Sequence, residues 1–258
     1  MRSGMLDGKV AIVTGAGRGV GLGIARALAK QGAALCIAEI DPTTAMAAEA
    51  EIEALGVRAL GIECDVGQLA QVEACVARAA RELGRIDILV NNATGTRPED
   101  ASVSLLDHTP EQFQRILGVD VIGSFQFMRA CFPHLRDSGA GRVVNLSSSA
   151  GSERAAGFAA YAAAKEALRA LTGVAAREWG AYAITVNSLC PQATTDVSAE
   201  WMRRNPEVAK RHLASVALGR AGDAEADIGR VVAFLCGPDA GYVTGQTFWV
   251  DGGSVIHS

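Results

Sequence analysis

The chain reads as an α/β protein, a doubly wound three-layer sandwich built on a parallel sheet of about seven strands. Three observations predict this. Short runs rich in Val, Ile and Leu recur without polar alternation, as strands buried on both faces require. Longer amphipathic stretches separate them, which implies strand–helix alternation and right-handed crossovers. A glycine-rich turn follows the first apolar run, where a strand would hand over to a helix.

In order, strands are expected at 9–13, 34–39, 58–63, 86–90, 142–146, 183–188 and 247–250. Helical patterns fill the gaps at 21–31, 43–55, 69–83, 110–135, 158–179 and 224–235. The alanine-rich stretches 45–50 and 155–164 suit closely packed helix faces. No linker, repeat or low-complexity tract interrupts the pattern, so one domain spanning 1–258 is expected. Two segments, 91–109 and 191–218, are too long for simple connections and follow strand carboxyl ends, where open α/β sheets bind ligands. They are expected to wall a pocket, with 191–218 as a lid carrying Trp201 and Met202.

With 258 residues, 49% of them hydrophobic, the chain can bury a large core. Its net charge of −4 and scattered basic residues argue against a nucleic-acid or membrane-surface partner. The start lacks the apolar stretch of a signal peptide, and no run approaches the roughly 18 apolar residues of a membrane span. Six dispersed cysteines without a CxxC pair read as buried thiols of a reducing compartment. A cytoplasmic protein is expected. The four histidines show no metal-ligand spacing.

The turn runs Thr14-Gly15-Ala16-Gly17-Arg18-Gly19-Val20-Gly21. Its glycines let the backbone approach a pyrophosphate seated on the amino end of the following helix. Gly15, Arg18, Gly19, Val20 and Gly21 are therefore candidate cofactor contacts. Glu39, about 20 residues on at the end of the second strand, can bind both adenosine ribose hydroxyls and would repel a 2′-phosphate. Arg18 pulls the other way, since it could pair with that phosphate. With Ile40 rather than a basic residue after Glu39, NAD(H) is favoured over NADP(H). Asp65 and Val66 could hold the adenine edge, or Asp65 could cap a helix.

Tyr161 and Lys165 share a helix face one turn apart. A cation there favours the phenolate, so Tyr161 can give up or take a proton. Ser148, on the preceding strand-like run, can donate to a substrate oxygen and polarise it. Alternatively, Tyr161 packs against the sheet while Lys165 extends past it toward solvent.

These residues, with Asn91-Asn92-Ala93, Asn145-Leu146-Ser147-Ser148, Gly219-Arg220, Gly245-Gln246 and Val250-Asp251-Gly252-Gly253, resemble in order and spacing the short single-domain branch of the short-chain dehydrogenase/reductase family. The resemblance covers nearly the whole chain. It implies a Rossmann-type fold, NAD(P)-dependent interconversion of a secondary alcohol and a ketone, and a homotetramer built on two long helices and the last strand. It further implies that Lys165 binds the nicotinamide ribose and that Asn92 lines the cofactor groove. Val186, Asn187, Pro191 and Thr195 would lie toward the nicotinamide.

Three departures stand out. The family's tetrad asparagine aligns with Asp120, which joins Ser148, Tyr161 and Lys165 in the candidate catalytic set. Asp and Asn are nearly isosteric, and an ionised Asp120 would stabilise Lys165 but oppose the tyrosinate, so Asp120→Asn is expected to keep or raise activity and to shift the alkaline dependence of oxidation. The usual NNAG reads Asn91-Asn92-Ala93-Thr94, and the usual Pro-Gly reads Pro191-Gln192. Pocket walls are expected from 94–102, 149–158 and 192–218, with Ala155, Ala156 and Phe158 suggesting an apolar, cyclic substrate. Two rivals remain. One is an NADPH-dependent ketoacyl reductase using Arg203, Arg204, Lys210 and Arg211 against an acidic carrier; the other is a silent dinucleotide-binding sensor.

Overall fold

A computed structural model describes residues 4–194, 203 and 206–256. Seven strands form one sheet: β1 (Val10–Thr14), β2 (Ala34–Glu39), β3 (Ala59–Glu63), β4 (Ile88–Asn91), β5 (Arg142–Leu146), β6 (Thr185–Pro191) and β7 (Thr247–Val250). Their order is β3-β2-β1-β4-β5-β6-β7, and every pairing is parallel. The chain leaves β1 in one direction and returns from β3 to β4 on the other side. That reversal opens a crevice at the carboxyl ends of β1 and β4.

Helices cover both faces, which is why β1, β4 and β5 are buried along their whole length. On one face α1 (Gly19–Lys30), α2 (Pro42–Glu53) and the helix Arg230–Cys236 pack around Ile24, Leu28, Ile52 and Val232. On the other, α3 (Leu69–Leu83), α5 (Ser124–Asp137) and α7 (Ala159–Trp179) enclose Val72, Phe127, Cys131 and Ala176. All six cysteines are free and buried.

Several expected limits shift by one or two residues, and three elements differ further. The sixth strand starts at Thr185, because Ala183 takes a left-handed turn (φ 57°) that ends the short helical turn Gly180–Tyr182. The helix expected over 110–135 is α4 (Pro110–Leu117), a π-helical turn (Gly118–Gly123) and α5. A second π-turn, Ala224–Gly229, opens the helix expected at 224–235. It lies hard against α1: a Cβ on Gly23 would stand 2.5 Å from the Ala224 carbonyl carbon. Gly23→Ala is therefore expected to destabilise the protein by about 1–3 kcal/mol. Thermal unfolding would read this directly, and an unchanged midpoint would mean that the contact yields freely.

Candidate active site

The glycine turn leaves β1 through two left-handed residues, Gly15 (φ 61°) and Gly19 (φ 59°). A Cβ on Gly21 would fall 2.3 Å from the Gly15 carbonyl oxygen, so only glycine lets the loop fold back so closely. Asn92, just past β4, fastens this loop. Its Nδ2 donates to the carbonyls of Thr14 and Gly15, each at 2.9 Å. Thr14 Oγ1 in turn accepts from the backbone N–H of Asn92 and of Ala93, each at 3.0 Å. The N-cap of α1 is Arg18, which is exposed and makes no side-chain cap. No hydrogen bond from the N-cap side chain thus occupies the first N–H groups of α1, and a helix end of this kind is a fitting seat for a pyrophosphate.

Glu39 ends β2 on the same edge. Its Oε2 accepts from Gly17 N at 2.9 Å and its Oε1 from Ile40 N at 2.9 Å, which fixes the carboxylate beside the glycine turn. Of the two readings for Asp65, the helix cap is not what forms. The N-cap of α3 is Gln68, and Asp65 Oδ1 instead accepts from Gly67 N at 2.9 Å, closing a turn of its own. Val66 is buried, and its carbonyl accepts from Gln126 Nε2 at 3.0 Å.

At the carboxyl end of β5, Ser148 is the N-cap of the short helix α6 (Ser149–Ser152). Its Oγ accepts from Ala150 N at 3.2 Å, which leaves the O–H to donate elsewhere. Tyr161, half-buried, lies in the first turn of α7. Lys165 does not reach solvent: it is buried, with Nζ 5.3 Å from the centre of the Tyr161 ring. The ammonium donates to the Leu146 carbonyl at 3.0 Å and pairs with Asp120 Oδ2 at 3.0 Å. Ser147 Oγ donates to the Lys165 carbonyl at 2.9 Å and ties α7 to the end of β5. Burial alone would push the Lys165 ammonium down. The charges of Asp120 and Tyr161, with the Asp120 hydrogen bond, outweigh burial and hold it above its ordinary value.

Asp120 is fully buried in the π-turn, where it also accepts from Thr94 Oγ1 at 3.0 Å and from Gly95 N at 2.7 Å. Neither Thr94 nor Gly95 is legible from sequence as its partner, because 26 and 25 residues separate them from Asp120.

The structure thus brings Tyr161, Lys165 and Asp120 into contact and sets Ser148 two residues beyond the carbonyl that Lys165 binds. The placement of Val186 and Asn187 is corrected. Both lie in the amino half of β6, away from the carboxyl edge where β6 ends at Pro191. Asn187 is a structural residue there: Nδ2 donates to the Val243 carbonyl at 2.8 Å and Oδ1 accepts from Gln246 N at 3.1 Å. Thr195, Trp201, Met202 and Arg204 lie outside the described residues.

Two of the expected pocket walls are joined to each other. Val103 N donates to the Gly157 carbonyl at 3.1 Å, with Ser102 (φ 61°) and Gly157 (φ 84°) both left-handed at the junction. An open cleft of about 570 Å³ borders this junction, lined by Leu105, Gly151, Ala155, Ala156, Ala162 and Glu166 among others. Ala155 and Ala156 line it; Phe158 and Tyr161 do not.

Comparison with known proteins agrees with this architecture. Residues 15–255 match a family model described as enoyl-(acyl carrier protein) reductase. The chain is 38% identical over 257 residues to a 12α-hydroxysteroid dehydrogenase of a Clostridium strain, covering 97% of this chain and 98% of that protein. It is 33% identical over 251 residues to the 7α-hydroxysteroid dehydrogenase of Escherichia coli K12, covering 97% and 95%. The crystal structure of an NAD⁺-bound xylitol dehydrogenase superposes with a TM-score of 0.89 at 33% identity, covering 96% of this chain and 99% of that one. The chain belongs to the short-chain dehydrogenase/reductase family. It is an enzyme, an oxidoreductase with the Rossmann-type fold of that family.

Proposed function

We propose that the enzyme is an NAD(H)-dependent dehydrogenase that interconverts a secondary alcohol and a ketone, with Tyr161 as general acid and base. The observation that carries this reading is the buried Lys165 ammonium, fixed by Leu146 and Asp120 beside the Tyr161 ring. Tyr161 takes the alcohol proton during oxidation and returns it during reduction. Ser148 donates its hydroxyl hydrogen to the substrate oxygen and aligns it with Tyr161. Lys165 holds its charge beside the phenol and binds the nicotinamide ribose. The nicotinamide, when bound, supplies or accepts the hydride.

In this reading Gly15, Arg18, Gly19, Val20 and Gly21 form the pyrophosphate cradle, and Glu39 takes the adenosine ribose. Asp65 and Val66 border the adenine, Asn92 holds the groove, and Pro191 lies toward the nicotinamide. The fixed Glu39 carboxylate supports NAD(H), since a 2′-phosphate there would meet a like charge. Glu39→Ser is expected to reduce the preference for NAD⁺ over NADP⁺ roughly tenfold or more, read as the ratio of kcat/KM values. An unchanged ratio would place the discrimination elsewhere.

The hydroxysteroid dehydrogenases among its relatives make polycyclic secondary alcohols the first substrates to assay. Nicotinamide absorbance would be followed with NAD⁺ and with NADP⁺ against cyclic, steroidal and linear alcohols. Turnover with NAD⁺ supports the reading; silence with both cofactors despite cofactor binding would turn it toward a sensor. We also read the enzyme as a cytoplasmic homotetramer. The six free thiols and the exposed Ile122, Phe125 and Val174 support this, and sedimentation would test the assembly. Among the described residues no helix is long and apolar enough to cross a membrane.

A further inference from the structure

We propose that Thr94 is a positioning residue for Lys165, acting through Asp120: the two departures from the family pattern form one unit that grips the ammonium directly. This rests on the role just proposed for Lys165 and adds a residue to it. Asp120 has 0% exposure, so both carboxylate oxygens must find donors inside the protein. Oδ1 accepts from Gly95 N at 2.7 Å, while Oδ2 accepts from Thr94 Oγ1 at 3.0 Å and faces Lys165 Nζ at 3.0 Å. Thr94 Oγ1 itself accepts from Thr96 N at 3.2 Å, which steers its own hydrogen toward Asp120.

All three neighbours are donors, and only a carboxylate accepts at both ends. An asparagine turned either way would set its NH₂ against the Gly95 N–H or against the ammonium. Isostery, the ground on which Asp120→Asn was expected to be harmless, therefore does not carry over to this site. A glycine at position 94 would remove a donor to the carboxylate, so the residues at 94 and 120 depend on one another.

The other groups around Lys165 do not replace Asp120. They are the Leu146 carbonyl on β5, the Tyr161 ring on α7 and the Cys190 thiol on β6, which burial pushes up to about 11. Among the described residues Asp120 is the carboxylate that reaches the ammonium.

Thr94→Val keeps the side-chain shape and removes the hydroxyl; Thr94→Ser returns it. The valine variant is expected to lower kcat roughly tenfold with KM little changed, the loss expected for one hydrogen bond to a charged group. The serine variant should recover most of that loss. Thr94→Val combined with Asp120→Asn should be no slower than Asp120→Asn alone, since one residue acts through the other.

The same cycle in thermal midpoints needs neither substrate nor cofactor, and its losses should likewise be smaller together than summed. Wild-type kcat and midpoint in the valine variant, or losses that simply add, would overturn the proposal. Coupled midpoints in an enzyme that turns over no alcohol with either cofactor would uphold the pairing and sink the dehydrogenase reading instead.

Discussion

Tyr161→Phe is expected to lower kcat by about 10²–10⁴-fold, the range that general acid–base catalysis contributes. The ring can stay where it is, half-buried at the start of α7, so the fold and the glycine turn should be undisturbed. What disappears is the phenol oxygen to which the proposed mechanism assigns proton exchange with substrate, on the ring beside the Lys165 ammonium. Cofactor affinity, measured by quenching of protein fluorescence or by calorimetry, should change little. That combination separates loss of a proton carrier from loss of a binding site. A variant that turns over at the wild-type rate would remove Tyr161 from the mechanism altogether.

Asp120→Asn should produce the largest effect on stability. It leaves the Lys165 ammonium buried without a counter-charge, and breaking a buried pair from one side costs about 3–5 kcal/mol. Chemical denaturation at neutral pH would show this as a lower midpoint at unchanged slope.

The dependence on pH has a definite sign. Asp120 holds Lys165 above its ordinary value of 10.5, so the folded state binds that proton more tightly than the unfolded chain. The contribution is present in full below 10.5 and is lost as pH climbs through the raised value. Wild type and Asp120→Asn should therefore differ most at neutral pH and converge in strong alkali. Parallel curves across the whole range would show that the ion pair is not the source of the difference.

The sheet was largely legible because buried parallel strands announce themselves by composition. The expected runs 34–39, 142–146 and 247–250 coincide with β2, β5 and β7, and 69–83 coincides with α3. The π-turns were not legible. Their apolar residues, such as Val119, Val121 and Ile122, fit an ordinary helical period well enough that nothing local signals the widened turn.

Likewise, Tyr161 and Lys165 could be paired from their spacing, whereas the contact between Lys165 and Asp120 spans 45 positions and depends on how α7 packs on that turn. Val186 and Asn187 were misplaced for a related reason. A motif gives the order of residues along a strand, but not which of them stands at the open edge of the sheet. Only the strand's true limits, Thr185 and Pro191, decide that.

The widened turn at Gly118–Gly123 also sets a reading frame for the site. A π-turn is in effect one residue inserted into an α-helix, and each residue of an α-helix advances about 100° around the axis. Deleting a single residue between α4 and Asp120 would let the three segments close into one regular helix. Phe127, Cys131 and Leu135, all downstream, would keep facing the core, because the widened turn is what absorbs the extra residue. The residues inside the turn would shift around the axis, and Asp120 could no longer meet the Gly95 N–H and the Lys165 ammonium together. A shortening too small to disturb the sheet would thus disarm the centre, while many longer changes in the outer loops would pass unnoticed.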